Sequence, residues 1–162
     1  MNHIALLMEN QPGALSRVIG LFSQRGYNID SLSVAPTQDE TLSRLTMTIA
    51  EEGADINQIL KQLYKLVDVV MVQNLSEADA LTLELAMIKL NKTKADVEGL
   101  LKNYEFEREI LDEKDNYTVF KVLGDTQKIE NLLSELKKEE FLEVTRSGTL
   151  GMTKGNESLA TN

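Results

Sequence analysis

Near its start the chain places Ile4, Leu6 and Met8 at alternate positions, the period of a half-buried strand. Leu15, Val18, Ile19 and Phe22 then follow at the i, i+3, i+4, i+7 spacing of an amphipathic helix. Gly26 falls where the residue just past a helix end belongs. A second strand is expected around Ser31 to Pro36 and a polar turn from Thr37 to Thr41. In a third strand Leu45, Met47 and Ile49 alternate with Arg44, Thr46 and Thr48. Ile56, Ile59, Leu60 and Leu63 mark a second helix, and the mostly apolar run Val67 to Leu75 a closing strand. The order strand, helix, strand, strand, helix, strand is that of the split βαβ, or ferredoxin-like, fold.

The same order recurs from about Ala80. Leu81, Leu83, Leu85 and Met87 alternate, Val97, Leu100, Leu101 and Tyr104 form a helical face, and 105–123 supplies two strands around the turn Asp112 to Asn116. Ile129, Leu132, Leu133 and Leu136 mark another helix, and Phe141 to Leu150 reads as the last strand. What repeats is architecture, with little residue identity between the halves. The expected fold class is α+β, two ferredoxin-like βαββαβ domains in tandem. The first spans 1–76 and the second 80–152, with Ser76 to Asp79 as the linker and 153–162, which lacks any period, as a flexible tail. In such a fold both helices cover one sheet face, and a domain of about 75 residues is small for lone stability, so dimerisation is expected.

Helix starts separate the first helix from the others. Asp55 with Gln58 three residues on, Thr93 with Asp96, and Asp125 each offer a side chain to early amide donors. The first helix instead opens through Asn10, Gln11, Pro12 and Gly13, with Gln11 a poor cap and Pro12 at the favoured first helical position. An uncapped N-terminus carries free N–H groups and partial positive charge, and so attracts a carboxylate or phosphate. Gly13 presents no side chain to block the approach, and Asn10 offers both a donor and an acceptor, which suits a free amino acid. The alternative reading is that Asn10 caps the helix itself and Gly13 serves a tight turn. Gly20, in mid-helix, marks either close packing or a tolerated surface position.

Composition narrows the chemistry. The chain has no cysteine, which removes disulfides, thiol nucleophiles and thiolate metal sites, and a single histidine, His3, which removes a multi-histidine site. Acids outnumber bases 26 to 17, giving a net charge of -9 that disfavours a nucleic-acid partner. An RNA-recognition module shares this element order, but Leu45, Met47 and Ile49 offer no aromatic for base stacking. Arg17 and Arg44 lie outside any phosphate-loop motif, and Arg17 is expected to face solvent. Ser16, Ser31 and Ser33 lack a histidine partner, and Glu105, Glu107 and Glu109 alternate as on a wet strand face. No apolar run approaches a membrane span, so a cytoplasmic binding protein is expected, not an enzyme, with no membrane association.

The segment ENQPGALSRVIGLFSQRGYNIDSLSVAPT, with TLSRLT just after it and KQLYKLVDV further on, resembles the regulatory small subunits of acetolactate synthase (acetohydroxyacid synthase). The similarity covers about the first 75 residues as an ACT domain, the amino-acid-sensing form of the ferredoxin-like fold. EVTRSGTLGMTKG is similar to the family's closing segment. The resemblance implies a non-catalytic subunit of branched-chain amino-acid biosynthesis. Such a subunit binds and activates a thiamine-diphosphate-dependent catalytic large subunit and confers feedback inhibition by valine. Thiamine diphosphate, Mg and FAD are then expected on that partner, and no cofactor or metal on this chain. It also implies a homodimer through the ACT domains with the effector held between them. Asn10, Gln11, Pro12, Gly13, Ala14 and Leu15 of one chain would hold its polar end, and Asn28, Ile29 and Val34 of the other would close the site. Asn28, in the GYNI motif, would face the ligand ammonium. The corresponding turn of the second half, Asn91 to Lys94, has a proper cap and no glycine, so no amino-acid site is expected there. A free-standing amino-acid sensor acting on another enzyme is the alternative.

Overall fold

The computed structural model describes residues 2–49, 56–156, 158 and 159. The chain divides into two compact units, 1–82 with 149–162, and 83–148.

In the first unit, β1 (Asn2–Glu9), α1 (Ala14–Gln24), β2 (Ile29–Pro36), β3 (Leu42–Ile49), α2 (Ile56–Leu63) and β4 (Val69–Asn74) follow the expected order. The strands form an antiparallel sheet in the order β2-β3-β1-β4, which makes β2 and β4 its edges. Ile4, Leu6 and Met8 of β1 and Leu45, Met47 and Ile49 of β3 pack against Val18 and Phe22 of α1 and Ile59 and Leu63 of α2. The side of α1 that faces this core is Ala14, Val18 and Phe22; Leu15 is only half-buried and Ile19 is 37% exposed. The buried face is thus rolled slightly from the stripe the sequence marks.

The end of α1 is as expected. Gly26 takes φ 73°, its N–H donates to Ser23 O at 3.2 Å, and Tyr27 N–H donates to Phe22 O at 3.1 Å, which closes the helix in a Schellman motif. Asp55, proposed as the cap of α2, lies outside the described residues.

β1 is buried on both faces. Ala5 and Leu7, on the side away from the helices, are 0% and 2% exposed and cluster with Leu75 and Leu159. The run expected as one strand, Phe141 to Leu150, breaks at Gly148, which takes φ 74°. It forms β8 (Phe141–Arg146) and β9 (Leu150–Thr153). From 149 onward the chain belongs to the first unit, where Thr149 and Leu159 are 1% and 8% exposed.

The second unit is built on β5 (Ala80–Leu90, of which 80–82 fall in the first unit), α3 (Lys94–Leu101), β6 (Glu107–Lys114), β7 (Tyr117–Gly124), α4 (Thr126–Glu135) and β8, a short 3-10 turn at Lys138–Glu140 preceding β8. The order β6-β7-β5-β8 repeats that of the first sheet. Thr93 accepts a bond from Asp96 N–H at 3.3 Å and Asp125 one from Gln127 N–H at 2.8 Å, the expected caps. The alternation in β5 is present, but its phase is the reverse of the simplest reading. Glu84, Ala86, Ile88 and Leu90 face inward, while Leu83, Leu85 and Met87 stay 39–49% exposed. A charge at 84 can be inward because Arg146 holds both oxygens of the Glu84 carboxylate, at 2.6 and 3.1 Å.

Candidate functional site

The entry to α1 is a type II β-turn. Ala14 N–H donates to Gln11 O at 3.2 Å across Pro12 and Gly13, and Gly13 takes φ 89° and ψ -17°. That conformation is nearly cost-free for glycine and strained for other residues. Gly13, rather than Gln11, is the residue that precedes the helix, Pro12 stands before the helix, and no side chain caps it. Asn10 does not cap it either; its Nδ2 donates to Glu40 O at 2.9 Å and its N–H to Thr41 O at 2.7 Å, which ties the loop to the turn between β2 and β3.

Arg17, expected to face solvent, is exposed over 47% of its side chain and also reaches back over this turn. Its Nε and Nη2 both bond the carboxylate of Asp68, the second at 2.8 Å, and Asp68 is 1% exposed. Gln11 Nε2 donates to the same carboxylate at 2.7 Å and to Glu9 Oε2 at 2.6 Å. The Arg17 guanidinium, with the Gln11 amide, holds the Asp68 carboxyl at a pKa of about 2 against the opposing effect of burial. Arg17 Nη1 lies only 2.8 Å from where a Cβ at position 13 would stand. A cation therefore sits beside the uncapped helix start, anchored by a buried acid. Neither residue was among the expected site residues; the only sequence signal was that Arg17 follows Gly13 by one helical turn.

The remaining site residues divide. Asn10, Gln11, Pro12 and Gly13 are exposed around the turn, Ala14 is buried with its N–H committed to the turn, and Leu15 packs partly against the first core. Asn28 is exposed, its Nδ2 3.1 Å from Asp30 Oδ1. Ile29 packs against the core from the edge strand β2, and Val34, on the same strand, is 40% exposed. Among the described residues no cluster of acids and histidines could hold a metal, and no helix is long and apolar enough to cross a membrane.

Two βαββαβ units, the first with an open glycine turn at its leading helix, define a tandem ferredoxin-like protein of the ACT class. The family model for the ACT domain of acetohydroxyacid synthase small subunits matches residues 4–71, and that for the small subunit of acetolactate synthase matches 83–155. The chain belongs to the acetolactate synthase small-subunit family. It is 40% identical over 156 residues to the acetolactate synthase isozyme 3 small subunit of Salmonella typhimurium, covering 95% of this chain and 96% of that one. To its Escherichia coli counterpart it is 39% identical with the same coverage. The crystal structure of the acetolactate synthase small subunit from Thermotoga maritima superimposes with a TM-score of 0.81 at 30% identity, covering 96% of this chain and 98% of that one. Membership places the protein in branched-chain amino-acid biosynthesis and implies a catalytic subunit as partner.

Proposed function

We propose that the chain is the non-catalytic regulatory subunit of its acetolactate synthase, activating a thiamine-diphosphate-dependent large subunit and conferring feedback inhibition by valine. The effector lies between the ACT domains of a homodimer. The observation that carries this reading is the uncapped, glycine-opened start of α1 with Arg17 fixed beside it. Unsatisfied N–H groups, the positive helix end and a guanidinium together favour an amino acid's carboxylate. Asn28, Ile29 and Val34 lie on or beside edge strand β2, the strand that a second copy would meet. There Asn28 would accept from the ligand ammonium, and the apolar pair would surround a branched side chain.

Valine can inhibit only by binding one arrangement of the dimer better than another, and the partner senses that arrangement. The test is reconstitution with the catalytic subunit and titration of valine. Inhibition should be lost in Gly13→Asp and relieved in Asn28→Ala, with activation largely retained in the latter. Unchanged inhibition in Gly13→Asp would remove the site from this turn. Co-purification without a thiamine-diphosphate enzyme would favour a free-standing sensor.

A further inference from the structure

A second cation in the first unit lies against no acid among the described residues. Arg44, on β3, stands in register with Leu7 of β1 and Ala35 of β2, on the sheet face away from the helices. It is half-buried, and its Nη2 donates to Gly151 O at 2.6 Å. Among the described residues no carboxylate lies within ion-pair distance of it, whereas Arg17 and Arg146 each hold a buried acid. Desolvation, with nothing to offset it, lowers the Arg44 pKa from its ordinary value. Removing a guanidinium from water without an anion is costly, and it is sustained here by a single backbone carbonyl.

Arg44 lines a cavity of about 570 Å3, within the size range of small-ligand sites. The floor carries Thr46 and Thr153, 4% and 8% exposed, and Leu159, also 8%. Leu150, Met152 and Pro36 form an apolar rim. The walls are supplied by β2 and β3 on one side and by 150–159 on the other, all within the first unit. Ser33 adds a hydroxyl.

We infer that this cavity is a ligand site, separate from the turn at Gly13, which takes a small organic monocarboxylate with an apolar body. The carboxylate would meet Nε and Nη1 of Arg44, and the body would rest among Leu150, Met152 and Leu159. A single fixed cation in a chain of net charge -9 balances one negative charge, which disfavours phosphate dianion. The inference does not depend on the effector reading, since the two places share no residue.

The experiment is an amide NMR titration of the full chain with isobutyrate, its neutral isostere isobutyramide, and inorganic phosphate. Isobutyrate should shift the amides of Thr46, Gly151 and Thr153 saturably, and isobutyramide should not. Arg44→Met should weaken isobutyrate at least about tenfold, since a hydrogen bond to a charged group is worth that or more. If Arg44→Met does not fold, Arg44→Lys, which keeps the charge and loses the fork, should weaken binding by a smaller factor. Equal shifts with the amide, tighter binding of phosphate, unaltered binding in the folded arginine variants, or isobutyrate shifts confined to 10–15 would each overturn the site. Loss of valine inhibition in Gly13→Asp leaves these outcomes unchanged.

Discussion

Arg17 and Asp68 are joined by two hydrogen bonds across the start of α1, with the carboxylate buried and the guanidinium lying over Gly13. The pair braces the turn, so the open helix end is held in place rather than merely left uncapped.

The Asp68 pKa of about 2 gives this pair a pH signature. Its folded value lies below the unfolded one of about 4, so the folded state favours the ionised form. That stabilisation is complete above about pH 4 and is lost as pH falls through about 2. Asp68→Asn should lower the urea midpoint at pH 7 and flatten the loss of stability between these limits, measured by circular dichroism. A variant whose acid limb matches that of the unsubstituted chain would show that Asp68 is not the titrating group.

Gly13→Ala and Gly20→Ala should move stability in opposite directions. At Gly13 a Cβ meets both a left-handed φ and Arg17 Nη1, and the conformation alone costs about 1–2 kcal/mol. At Gly20 a Cβ meets nothing within 4 Å among the described residues, so no close packing within them accounts for this glycine. Its replacement should add up to about 1 kcal/mol through helix propensity. Urea unfolding of the two variants checks the sign.

Leu159 seals the face of β1 away from the helices, against Ala5, Leu7 and Leu75. Leu159→Ala should cost about 2 kcal/mol, the low end for a buried leucine because the site is near the surface. Hydrogen exchange should show faster opening of the β1 amides. Unchanged stability and exchange would mean that residue 159 contributes little to that face.

Arg146→Met should destabilise the second unit. Glu84 would keep its burial and lose both hydrogen bonds from the guanidinium, a change of about 3 kcal/mol for a broken buried pair. Glu84→Leu combined with Arg146→Met should recover much of the loss, because an apolar pair carries no desolvation cost. Thermal unfolding of the single and double variants compares the two.

Local information in the sequence determined the element order, because hydrophobic period and turn chemistry are properties of neighbouring residues. The Schellman end at Gly26 and the caps at Thr93 and Asp125 are of this kind. So is the missing cap at Gly13, where Pro-Gly dictates the turn and no local side chain fills the vacancy. Only the tertiary structure decided which face of β5 turns inward, since Leu85 and Ala86 are both apolar and the partner that satisfies inward Glu84, Arg146, stands 62 residues away. The same holds for Arg17, whose partner stands 51 residues away, and for Leu159 in the aperiodic segment 153–162, which packs on the apolar face of β1 away from the helices. Pairing of distant charges and burial of a second sheet face depend on which strands adjoin, and no window along the chain contains that.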